Sequence, residues 1–259
     1  MILKIYYLSK LYLLEQIRRQ VHLVTLFLAV ILLMLPAYIN SFSLGLSAFE
    51  RVAKDFGLTL ISFYAVAMAI FLGVTAVSSD LERRTLYPLL ARPIPRWAYL
   101  MGKFVGVLVV LVSSVLVLSF CLMLSVAALA KFVDGQLIVV ALCYALEASV
   151  LAAACIFFST FSSPPLAGVL GVFLYFVGGL SQSFISFFLV EDRGSPAVAM
   201  LARGLKMVMP HFDLFRVKNA VVYTLPLEPA YLLSITGYAL AWMLLFVLLA
   251  ERVFARKDL

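Results

Sequence analysis

The sequence predicts an all-α integral membrane protein with six transmembrane helices, and three observations lead there. Of the 259 residues, 65% are hydrophobic and only 13% are charged, against roughly half and about a quarter in soluble domains. Mean hydropathy is +1.11, which is more apolar surface than a globule of this length has interior to hide. The apolar residues also fall in continuous runs, long enough to cross a ~30 Å hydrocarbon core at ~1.5 Å per helical residue, whereas the strands of a membrane barrel would alternate.

Residues 1–20 are expected to form an amino-terminal elbow helix in the inner interface. Lys4, Glu15, Arg18 and Arg19 share one side of a helical wheel, and Lys10 breaks the pattern. The alternative is an extended, snorkelling first helix. The first span is expected over 21–39. Its apolar run is longer than a signal-peptide core, and no small-x-small cleavage pattern follows Pro36, so it is read as a retained helix.

The later spans are expected over 56–77, 104–129, 137–159, 166–190 and 231–250. Asp134-Gly135 marks a tight turn between the third and fourth, and Ser162-Ser163-Pro164-Pro165 a break between the fourth and fifth. Such short connections make the joined helices neighbours. The connection 191–229, assigned to the outer face, is too long to be idle. Within it, residues 196–209 read as an interfacial or re-entrant helix, with Met200, Leu201, Leu205 and Val208 at helical spacing and Arg203 and Lys206 flanking.

A net charge of +7 acts first as a topology signal in such a chain. Lys4, Lys10, Arg18 and Arg19, then Arg83, Arg84, Arg92, Arg96 and Lys103, then Arg252, Arg256 and Lys257 fall on one side. The two short loops opposite hold Arg51, Lys54 and Lys131. Both termini are therefore expected in the cytoplasm. No nucleic-acid partner is expected, because the basic residues are spread over the membrane surface without an aromatic platform.

Other chemistry finds little support. Cys121, Cys143 and Cys155 lie inside apolar spans without C-x-x-C spacing, which favours neither a disulfide framework nor a zinc site. Met200, Met207, Met209 and His211 are residue types that suit copper. Methionines at helical spacing ordinarily fill apolar space, however, so no metal is expected. The two histidines, His22 and His211, form no H-E-x-x-H, and no constellation for an intramembrane enzyme emerges.

The second connection carries the most information. Ser79 and Glu82 have capping-box spacing and predict a helix start, and the nearby acids suit the helix dipole. Leu81, Thr85, Leu86 and Leu89 give a partly apolar face, Pro88 bends or shortens it, and Pro93 and Pro95 force an extended exit. A short helix over 79–92 at the cytoplasmic face is more structure than a reversal of direction requires, which implies that something binds it.

Glu82, Thr85-Leu86, Leu89-Leu90, Pro93, Arg96 and Gly102-Lys103-Phe104 resemble the motif after the second helix of type-2 ATP-binding-cassette (ABC) permeases, although Arg84 replaces the usual glycine and Pro88 is extra. The whole layout is similar in outline: elbow, six spans, a long fifth connection with Pro210-x-Phe212-Asp213, and a basic tail from Phe254 to Asp258. The resemblance implies that 79–92 is a coupling helix docking on a separate ABC ATPase, with Asp80, Leu81, Glu82, Arg83, Arg84, Thr85, Leu86, Leu89 and Leu90 in contact. It further implies two ATPase copies carrying ATP and Mg, because no G-x-x-x-x-G-K-[ST] phosphate loop occurs here. The chain itself would bind no cofactor and catalyse nothing.

A second copy or close paralogue, the lipid bilayer and an outer-face accessory protein complete the expected partners, in a prokaryotic cytoplasmic membrane. The implied function is substrate export or translocation. The alternative is a non-transport subunit that passes ATPase motion to an outer-face partner. Glu147, within the fourth span, is the sharpest single residue, because an ionised carboxylate in lipid is costly. It is either a protonated acid bonded to a neighbouring helix or part of a transport path. Gly178-Gly179 reads as a place for close helix packing or a bend.

Overall fold

The computed structural model describes residues 2–40, 46–82, 96–130, 135–190, 209–222 and 228–255. The described residues form an all-α bundle. Helix α1 is Ile2–Arg18, α2 Val21–Asn40, α3 Leu46–Glu82, α4 Arg96–Ala130, α5 Gln136–Phe161 and α6 Pro164–Val190. A 3-10 turn at Phe212–Phe215, α7 at Lys218–Val222 and α8 at Pro229–Ala255 follow.

Among the described residues five helices are long and apolar enough to cross a membrane: α2, α3, α4, α5 and α8. The fifth expected span coincides with α6, whose described apolar stretch, Pro164–Gly179, is shorter. Two of the crossing helices outrun the hydrocarbon. α3 has 37 residues and α4 has 35, or about 55 and 50 Å at helical rise.

This length overturns one expectation. Ser79 does not start a helix, because α3 remains helical through it to Glu82, and the Ser79 hydroxyl donates to the Thr75 carbonyl at 2.7 Å. A serine bonded back to the preceding turn satisfies itself inside a helix, so the capping-box spacing has no end to cap. Residues 83–95, with Arg83, Arg84, Thr85, Leu86, Leu89 and Leu90, lie outside the described residues. So do 191–208, which hold most of the expected outer helix with Met200 and Met207, and the tail from Arg256.

The core is centred on α5. Within its span 78% of residues are buried, against 17% for α2, which makes α5 the central column and α2 a peripheral one. α5 packs chiefly against α3 and α8, and also against α4 and α6. Lipid tails are as apolar as leucine, so close approach rather than water exclusion drives such packing. The α5 sequence supplies it with Ala145, Ala148, Ser149, Ala152 and Ala153, all buried. A Cβ placed on Gly73 of α3 would meet the Ala152 carbonyl oxygen at 2.8 Å and Cys155 Cβ at 2.7 Å.

At the other edge, α1 lies against the start of α4. The chain reverses from α1 into α2 at Gln20, whose φ of 59° is the one positive value for a non-glycine among the described residues. Of the expected polar side of the elbow, Arg18 is exposed and Glu15 and Arg19 are half-buried. Tyr6, Tyr7, Leu11, Leu14 and Ile17 are exposed, while Ser9, Tyr12 and Gln16 are buried against the bundle. Glu15 and Arg19 lie at that inner margin, joined at 2.6 Å. Of the buried polar groups, Ser9 bonds back to the Tyr6 carbonyl of its own helix and the Tyr12 hydroxyl reaches the Leu72 carbonyl of α3, and the apolar face is left for another apolar phase.

Candidate functional site

Two polar clusters stand about 30 Å apart along α3, one near Asp80 and one near Thr59. The first, inner on the topology expected from the charges, forms where α1, α3, α4 and α8 converge. Lys103, about two helical turns inside α4, is buried and places Nζ 2.8 Å from Asp80 Oδ2 and 3.7 Å from Glu15 Oε2. The Tyr99 hydroxyl donates to the same Asp80 oxygen at 2.6 Å. The ammonium also lies 5.0 Å from the Tyr12 ring centre and 5.9 Å from that of Tyr99, within reach of a cation–π attraction. Phe254 of α8 stacks on Tyr99 with centroids 6.0 Å apart.

A buried cation is tolerable only when paired, and here two carboxylates from two other helices surround it. Arg19 Nη2 in turn donates to Glu15 Oε1, so the charges alternate outward from the centre. Burial, then the nearby Glu15 carboxylate, pushes the Tyr12 phenol well above its ordinary pKa, and its protonated hydroxyl donates to the Leu72 carbonyl at 3.4 Å. Asp80, expected to face the ATPase subunit, has its carboxylate turned inward onto Lys103 and Tyr99. Leu81 and Glu82 continue α3.

The outer cluster is built around Glu147. Its side chain is 1% exposed, and Oε1 has no hydrogen-bond partner among the described residues. The carboxyl lies within electrostatic reach of the Tyr175 hydroxyl of α6, of Arg216 and of Asp213. Arg216 reaches inward from the segment that follows the 3-10 turn. Its Nη2 donates to Tyr175 at 3.4 Å and its Nη1 lies 3.4 Å from Asp213 Oδ1. Burial works against the guanidinium's charge, but the hydrogen bond with Tyr175 and the charges of Glu147 and Asp213 outweigh it and hold its pKa above the ordinary value.

That segment folds back into the bundle because three devices seat it. Phe212 and Phe215 are fully buried and pack on Tyr175 and Tyr238, with centroids 5.5 and 6.3 Å apart. The Tyr238 hydroxyl accepts from the His211 amide at 2.8 Å, and Lys218 Nζ lies 2.9 Å from Asp55 Oδ1 and donates to Thr59 at 3.0 Å. The third device is the glycine pair of α6. A Cβ on Gly178 would meet the Pro210 carbonyl oxygen at 2.5 Å, and one on Gly179 would meet Arg216 Nη2 at 2.8 Å. The expected close packing is therefore against the returning chain rather than a second span.

Sequence reading singled out Glu147 but missed Arg216, Tyr175 and Asp213 as its surroundings. The signal available was Pro210-x-Phe212-Asp213, from which Arg216 is three residues on. It also missed Lys103 as a buried pivot, since a lysine beside Arg96 passes for a topology charge. Among the described residues no group of three or more His, Cys, Asp or Glu has metal-site geometry.

None of the curated proteins compared with the chain matches it. The sequence model of one protein family, described as ABC-2 family transporter protein, matches residues 7–259. That match takes in most of α1, the five long apolar helices described and both polar clusters, and on it the chain belongs to the ABC-2 transporter family of multi-pass membrane proteins.

Proposed function

We propose that the chain is the permease subunit of an ABC transporter, coupling ATP hydrolysis on a separate ATPase to export or translocation of a substrate. The observation that carries this reading is the family match over residues 7–259. The length of α3 agrees with it, since the helix runs past the hydrocarbon directly into the motif-bearing residues 83–92. On this reading α6 is the sixth crossing, both termini lie in the cytoplasm of a prokaryotic cell, and two permease copies or close paralogues sit on two ATPase subunits that hold ATP and Mg. The residues from Leu81 to Leu90 then meet the ATPase, and Asp80 orients them from behind. Glu147 lines the path in the outer half of the bilayer, where the returning segment narrows it, and an outer-face accessory protein would meet that segment.

The experiment is copurification. Tagged full-length chain, expressed in its native host, is expected to carry an ATPase subunit through detergent extraction, and deletion of residues 83–92 in a correctly inserted chain is expected to release it. Retention of the ATPase by the deletion variant would overturn the assignment.

A further inference from the structure

The inner cluster has more in it than a salt bridge needs. Lys103 is held by one carboxylate from α1 and one from α3, which are otherwise separated by the whole of α2. α1 is pressed onto α4 at the same level. A Cβ on Gly102 would meet Leu8 Cβ at 2.6 Å, and one on Gly106 would meet Tyr12 Cδ1 at 2.7 Å. The spacing of those two glycines, one turn apart on either side of Lys103, lets the elbow backbone approach closely enough for Glu15 to reach the ammonium. Asp80 stands in the last turn of α3, three residues before position 83, so displacement of the segment that follows α3 would reach it through that turn.

We propose that Lys103 is a positioning residue which joins the foot of α3 to the elbow helix, so that movement of the segment after α3 is delivered to α1 as well as to the bundle. The elbow presents Tyr6, Leu11, Leu14 and Ile17 outward and would carry that movement into the inner leaflet. Asp80 and Glu15 each have a further partner, Tyr99 and Arg19, but a neutral side chain at 103 would remove the cation that joins the two at this point. Arginine would preserve the bridge, because its guanidinium can serve two carboxylates at once. The inference rests on the reading of the chain as an ATPase-coupled permease.

The test uses the full chain with Cys121, Cys143 and Cys155 each replaced by alanine, Ile17→Cys labelled with a solvent-sensitive fluorophore, and the copurified ATPase, all in lipid nanodiscs. Mg-ATP with vanadate is expected to change the fluorescence of the label. Lys103→Arg is expected to keep the change, while Lys103→Met reduces it about tenfold, a coupling loss of ordinary size, with the ATPase still bound. Asp80→Asn, which keeps the acceptor for Tyr99 but not the charge, is expected to behave like Lys103→Met and serves if that variant does not assemble. A full response in either neutral variant, a loss in Lys103→Arg as large as in Lys103→Met, or a silent label in the parent complex overturns the proposal. Failure of the parent chain to hold any ATPase would instead remove the permease reading beneath it, and this inference with it.

Discussion

The two polar clusters use the same materials in opposite order. At the inner end the cation is central and sealed, with Lys103 6% exposed and carboxylates around it. At the outer end the carboxylate is central and sealed, and its cation, Arg216, is 47% exposed on a short returning segment. Attraction between charges is strong where water is excluded and screened where it is not. The inner cluster is therefore a joint that holds helices in register. The outer one has a detachable half, because Arg216 can exchange Tyr175 for water without dragging a crossing helix with it.

Substitutions can break this contrast, and the inner end should suffer most. Lys103→Met leaves Glu15 with Arg19 and Asp80 with Tyr99 but removes the buried cation between them, and breaking a buried pair by removing one partner costs about 3 kcal/mol or more. Thermal unfolding in detergent should show a clear loss of stability, and an unfolding temperature equal to the parent's would mean that the joint is not load-sharing.

At the outer end, the glycine pair separates backbone from side-chain crowding. Gly178→Ala drives a methyl into the Pro210 carbonyl and should cost about 1–3 kcal/mol, the range for overpacking. Gly179→Ala meets only the mobile tip of Arg216 and should cost less than about 1 kcal/mol. Equal losses for the two, read from the same unfolding curves, would remove the argument that Arg216 is the movable part.

Glu147→Gln keeps shape and hydrogen-bonding capacity while removing a charge that lipid disfavours. Stability should change by less than about 1 kcal/mol, and ATP-driven flux should fall if the carboxyl lines the path. A variant with unaltered flux would leave Glu147 as a packing acid. The smallest effect belongs to Lys218→Ala, whose pairing with Asp55 is part-exposed and whose loss should cost about 0–1 kcal/mol.

Much of the architecture was legible because hydropathy reports the thickness of the solvent. The expected first and fourth spans lie within a few residues of α2 and α5, and a helix, α6, stands over the fifth. Hydropathy does not report where a hydrogen-bond ladder continues into water. The expected end at 77 therefore fell short of Glu82, and the expected start at 104 came after Arg96. Ser79 misled for the same reason, since its spacing to Glu82 is a cap only if the backbone ends there. Glu147 was legible as a charge in an apolar run. Arg216 and Lys103 were not, because their meaning comes from partners 69 and 23 positions away, Glu147 and Asp80, and no local pattern records such distances.

The measurement that bears most directly on the account is the sidedness of the segment after α3. In a chain with the three native cysteines replaced by alanine, Arg84→Cys should react with a membrane-impermeant maleimide in inside-out vesicles and stay unlabelled in right-side-out ones, and bound ATPase should protect it. Labelling from the outer face of intact cells would contradict the coupling of this segment to an engine in the cytoplasm.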